Sequence, residues 1–137
     1  MGESIEHQTY VRNILGFIEK FVDGENYSMI RADLPEYDKP SLVYSDFIPD
    51  VYYSYDKLLI IGEAKTYDDF KTEHSKSQYR AYFEECTKYP FRSIIIIAIP
   101  WQLFVTAKNH FRRCNRLFGG INTEIYVISE NGVFEKI

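Results

Sequence analysis

Two acids and an amine, Asp50, Glu63 and Lys65, lie in neighbouring apolar runs. The runs are Asp50-Val51-Tyr52-Tyr53-Ser54-Tyr55 and Leu58-Leu59-Ile60-Ile61-Gly62-Glu63-Ala64-Lys65, separated by Asp56-Lys57. A two-residue turn at Asp56-Lys57 pairs Tyr55 with Leu58, and counting outward sets Asp50 opposite Glu63. Side chains opposed in this way share a sheet face, about 4.5–5.5 Å apart at Cβ. The strand period of two adds Lys65 to that face and points Ala64 away. Like charges so placed repel, and the arrangement calls for a bound cation. A surface ion cluster on a sheet edge is the plainer alternative. Against it, Leu58–Ile61 is apolar on both faces, the mark of an interior strand, where carboxylates are costly without a cation or hydrogen bonds.

Pro49-Asp50, the gap, and Glu63-Ala64-Lys65 resemble the PD-(D/E)xK signature of the restriction-endonuclease-like nucleases. The resemblance implies that Asp50, Glu63 and the carbonyl of Ala64 hold Mg²⁺ or Mn²⁺, while Lys65 activates or orients the attacking water. It implies hydrolysis of DNA phosphodiester bonds to leave a 5′-phosphate, with a homodimer or larger nuclease complex for double-strand cleavage. Gln78-Tyr79-Arg80-Ala81-Tyr82 matches the Q-x-x-x-Y motif of the RecB-like branch, which adds Gln78 and Tyr82 to the catalytic set. Their i,i+4 spacing sets both on one helix face. Tyr82 also falls on an apolar stripe, so a purely structural role beside a solvated Gln78 stays open. Many members of the family carry a Glu near the start of the first helix that reaches the metal. Glu6 fits that position, although an acid in a first turn also favours the helix dipole by ~0.3–1 kcal/mol. His7 is expected to stay outside the site.

The surrounding pattern supplies elements to hold these residues. A helix is expected over Ser4–Val22, from Val11, Ile14, Leu15, Ile18 and Val22 at helical spacing. Tyr27–Ala32 reads as a strand, and Asp33–Asp46 as a loop with a short extended piece at Leu42–Tyr44. The hairpin Pro49–Tyr55 and Leu58–Lys65 follows. A second helix is expected over Asp69–Lys88, burying Tyr79, Tyr82, Phe83 and Cys86. Arg92–Pro100 holds the β-branched run Ile94–Ile97 of a fully buried strand. A third helix spans Gln102–Phe118 on the stripe Leu103, Ala107, Phe111, Cys114 and Phe118. Thr123–Ser129 and Val133–Lys136 read as strands around Glu130-Asn131-Gly132. The order α-β-β-β-α-β-α-β, with a short last strand, predicts an α/β (α+β) domain over residues 1–137. Its central mixed sheet is flanked by helices, as in the restriction-endonuclease-like core.

Lys108, Arg112 and Arg116 recur at i,i+4,i+8, with Arg113 adjacent, in a stretch without acids from Ala107 to Ile121. Such a row either contacts phosphates or is a solvated face; Arg80, with Lys71 and Lys76, extends it from the second helix. Tyr52, Tyr53 and Tyr55 either stack bases or edge a core. The net charge of −4 does not suggest an avid, non-specific nucleic-acid binder. No apolar run reaches the ~20 residues of a membrane span, no signal-peptide pattern opens the chain, and two cysteines make no disulfide scaffold. A cytoplasmic protein with reduced, buried thiols and no membrane partner is expected. Two other functions fit parts of the pattern. One is a catalytically silent nuclease fold that binds DNA or protein; the intact acid-acid-lysine set argues against it. The other is a Holliday-junction resolvase-like enzyme, suggested by the Gly2-to-Glu6 spacing; the acidic charge argues against that one.

Overall fold

A computed structural model describes residues 4–41, 47–120 and 122–137. The extended piece expected at Leu42–Tyr44, and Gly2 before the first helix, lie outside the described residues. Helix α1 runs over Ile5–Ile18, and the strands are β1 (Arg31–Ala32), β2 (Val51–Tyr55) and β3 (Leu58–Ala64). Helix α2 (Glu73–Lys88), β4 (Arg92–Ile99), α3 (Phe104–Phe118), β5 (Thr123–Ser129) and β6 (Phe134–Lys136) complete the chain. The six strands form one sheet in chain order. β1, β2 and β3 pair antiparallel, β3, β4 and β5 parallel, and β5 and β6 antiparallel.

The polypeptide dictates this arrangement in four ways. Asp56 and Lys57 both adopt positive φ, 49° and 65°, which joins β2 to β3 in a two-residue turn matched to the strands' twist. The register is then Tyr55↔Leu58 through Val51↔Gly62. Parallel pairing of β3, β4 and β5 requires two crossovers, supplied by α2 and α3. The Ile94–Ile99 run is buried throughout and divides by parity. Ile94, Ile96 and Ala98 pack with Val11, Ile14 and Ile18 of α1, while Ile95, Ile97 and Ile99 pack with Tyr82, Phe83, Ala107 and Phe111 of α2 and α3. The result is three layers, α1, sheet, and α2 with α3. Close approach of α1 depends on Gly62, where an added Cβ would lie 2.8 Å from Ile14 Cγ2 and 3.0 Å from Val51 Cβ.

Several expected boundaries move. Gly24–Met29 is a 3₁₀ helix, so only Arg31–Ala32 remains of the strand expected at Tyr27–Ala32. Tyr27 and Met29 are exposed, so the stretch has no apolar face to present to a sheet. α2 begins at Glu73 rather than Asp69, because the Thr72 side chain accepts from Ser75 N–H and caps the helix there. Trp101–Leu103 is a 3₁₀ turn, so α3 begins at Phe104. Cys86 and Cys114 are buried free thiols, and burial pushes Cys86 up to about 12. No described helix is long and apolar enough to cross a membrane.

Candidate active site

The acidic residues meet where β2 begins and β3 ends. Regular pairing stops at Val51↔Gly62. The Asp50 N–H donates to the Gly62 carbonyl at 3.0 Å, while its carbonyl accepts from Asp33 N–H at 2.8 Å. In a regular antiparallel strand both groups would face one neighbour, so the chain kinks at Asp50 and re-aims its side chain. Asp50 therefore stands just beyond the ladder rather than in a regular pair with Glu63. Its Oδ2 accepts from the Ala64 N–H at 2.8 Å and lies 3.2 Å from His7 Nε2.

Helix α2 completes the set from the other face of the sheet. Tyr82 donates its hydroxyl to Glu63 Oε1 at 2.7 Å, and Lys65 Nζ donates to Gln78 Oε1. Lys65 Nζ lies 3.7 Å from Glu63 Oε2. Relative exposure is 7% for Asp50, 4% for Glu63, 4% for Lys65 and 7% for Gln78, so Gln78 is not a solvated neighbour. The i,i+4 spacing thus sets one α2 residue on the lysine and the other on the acid.

Electrostatics divide the two acids. Burial and the Asp50 charge push Glu63 well above the carboxylate range, against the opposing pull of Lys65 and Tyr82. Burial also raises Asp50, but hydrogen bonds from His7, Glu63 and the Ala64 N–H outweigh it and leave Asp50 below its ordinary value. The two acids are thus driven apart, Glu63 towards its neutral form and Asp50 towards its charged form, because adjacent buried carboxylates repel. Burial, and then the Glu63 charge, raise the Tyr82 phenol far beyond the physiological range, so it remains a donor.

These residues open onto a cleft of about 470 Å³ lined by His7, Asp50, Glu63, Ala64, Lys65 and Gln78, with Asp33, Lys39, Asp69 and His74 towards its mouth. Among the described residues, no three or more His, Cys, Asp and Glu are gathered as a ready metal-ligand group. The oxygen chemistry nonetheless fits a hard cation. Asp50 and Glu63 are two adjacent buried carboxyls, and Mg²⁺ or Mn²⁺ held there would supply the positive charge that offsets their repulsion.

The other sequence-derived candidates fall outside this cleft. Glu6 is exposed, and α1 reaches the acids through His7 instead, contrary to expectation. His7 continues the row Val11, Ile14 and Ile18 at spacings of 4, 3 and 4, the row that packs on the sheet. Lys108 and Arg112 both approach Glu135 of β6, at 3.4 and 2.9 Å. Arg80 pairs with Glu84 at 3.5 Å and lies over the Phe118 ring. Arg116 is exposed. Arg113 faces a separate groove beside α2. Among the tyrosines, Tyr53 is core, Tyr52 half-buried and Tyr55 exposed. No family's sequence profile, no curated protein and no solved structure matches this chain.

Proposed function

We propose that the protein is a divalent-metal-dependent nuclease of the PD-(D/E)xK type, with a restriction-endonuclease-like fold, hydrolysing DNA phosphodiester bonds. One observation carries the reading. Asp50, Glu63 and Lys65 converge in a single cleft, and Gln78 and Tyr82 each fix one of them. A lone D-to-E-x-K spacing occurs by chance. The same spacing with both α2 contacts, on a crossover between parallel strands, is a much narrower coincidence.

The chain's own residues would divide the work. His7 and the Ala64 N–H hold the Asp50 carboxylate in place. Tyr82 orients Glu63, and Gln78 restrains the flexible Lys65 side chain. Lys65 would orient the water that attacks phosphorus and stabilise negative charge on the phosphoryl oxygens as the P–O bond to the leaving group breaks. Mg²⁺ or Mn²⁺ held by Asp50, Glu63 and the Ala64 carbonyl would neutralise the carboxylates and polarise the phosphoryl group.

Wild type and Glu63→Ala, compared on linear, circular, single-stranded and branched DNA with Mg²⁺, Mn²⁺ or EDTA, test this. Metal-dependent cleavage that disappears in Glu63→Ala is expected. Absence of cleavage by folded wild type with either metal would reject the reading in favour of a silent fold.

A further inference from the structure

Across the Asp69–Lys71 turn from the acidic cleft lies a second one of about 310 Å³. One wall is the α3 stripe Thr106, Asn109, His110 and Arg113, at i, i+3, i+4 and i+7 on one helix face. Phe70, Lys71 and Lys76 form the other. The half-buried His110 ring packs edge-on to Phe70 at 5.9 Å and Tyr79 at 5.5 Å. Lys76 and Arg113 line the groove with that imidazole, and burial, Arg113 and Lys76 hold it below its usual range. Among the described residues no ion pair joins Lys71 or Arg113 to an acid, and Lys76 meets only Glu73, at 3.7 Å, on a carboxylate whose side chain is 92% exposed. Lys108 and Arg112, on the neighbouring face of the same helix, are engaged by Glu135. Three cations thus line one groove without a buried counter-acid on a chain of net charge −4, together with the polar side chains of Thr106 and Asn109. The two clefts share one short segment. Asp69 and His74 line the acidic one, and Phe70, Lys71 and Lys76 the cationic one.

We propose that the groove formed by Lys71, Lys76 and Arg113 binds backbone phosphates of a DNA strand that runs on from the acidic cleft. The direction of that path rests on the nuclease reading; the binding does not. All three side chains are exposed, so neutralising them keeps the fold. Fluorescence anisotropy of labelled single-stranded and duplex DNA, titrated in EDTA over a salt series, provides the test without catalysis. Lys71→Gln and Arg113→Gln should each weaken binding several-fold. Each should also flatten the log–log salt slope, by about 0.9 per duplex phosphate or about 0.7 on single strands. Lys57→Gln removes the same charge at the far end of β3, roughly 20 Å from Glu63 at about 3.3 Å per residue, and should change neither. Equal weakening by all three variants, or none by any, would overturn the proposal. Localised weakening in a protein that never cleaves DNA would uphold the groove and reject the nuclease reading.

Discussion

Tyr82→Phe removes one oxygen atom and separates a structural tyrosine from one that tunes the site. The Tyr82 ring is fully buried among Leu59, Ile61 and Phe83, and phenylalanine keeps that packing without opening a cavity. What disappears is the 2.7 Å bond from the phenol to Glu63 Oε1. A buried acceptor that loses its donor costs about 1–3 kcal/mol, so a lower melting temperature is expected in either role. Cation binding discriminates between them. The Tyr82 bond pulls Glu63 towards its ionised form, and a cation requires that form. Groups that orient a ligand in this way contribute about 10–100-fold to metal affinity, or about 1.4–2.7 kcal/mol. Calorimetric titration of Mn²⁺ into both proteins at neutral pH measures it. A 10–100-fold weaker dissociation constant in Tyr82→Phe is expected. Unchanged Mn²⁺ affinity beside a lowered melting temperature would refute the argument and make Tyr82 purely a core residue.

Three other outcomes follow from the geometry. The folded-state pKa of Glu63 is raised, so without metal the folded protein keeps a proton that the unfolded chain releases. Stability in EDTA should therefore fall as pH rises from the ordinary carboxylate range through the raised value. Glu63→Gln should flatten that fall, and identical pH profiles in urea denaturation would contradict it. Gly62→Ala forces a methyl group against Ile14 and Val51 and should cost about 1–3 kcal/mol in the same assay; a loss below about 0.5 kcal/mol would mean that α1 is not seated there. His7→Ala leaves the Ala64 N–H as a remaining donor to Asp50 Oδ2 and should slow metal-dependent cleavage about 10–100-fold; wild-type rates would place His7 outside the site.

Local geometry was the part of this protein open to reading from its sequence. The Asp56-Lys57 turn sets the register of the hairpin, and counting from it brings Asp50 and Glu63 together despite the kink at Asp50. The i,i+4 rule likewise sets Gln78 and Tyr82 on one face, although only the tertiary packing shows what they touch. Two local signals mark where the structure departs from the expectation. His7 shares the spacing of Val11, Ile14 and Ile18 and so faces the sheet, whereas Glu6, expected there from the family's first-helix Glu, is exposed. Thr72, a good N-cap, marks where α2 starts. Glu135 could not be seen from local pattern, because it stands 27 residues from Lys108 and 23 from Arg112 along the chain. A helix free of acids in sequence is partly neutralised by a strand in space. The cationic groove depends on the same effect in reverse, since Lys71, just before α2, and Arg113 of α3 are distant in sequence and line one groove only in the folded chain.

Lys65→Met most directly separates holding a cation from performing hydrolysis. Methionine retains much of the volume of a side chain that is 4% exposed, and leaves both acids in place. Mn²⁺ affinity and DNA cleavage would be measured on the same preparation beside wild type. The account predicts that Mn²⁺ binding is retained, because both acids remain and loss of the Lys65 charge removes its repulsion of the cation together with its pull on Glu63. It also predicts cleavage slower by about 10²–10³-fold, the usual cost of removing one group that stabilises developing charge. Cleavage at the wild-type rate, or loss of Mn²⁺ binding in the folded variant, would contradict it.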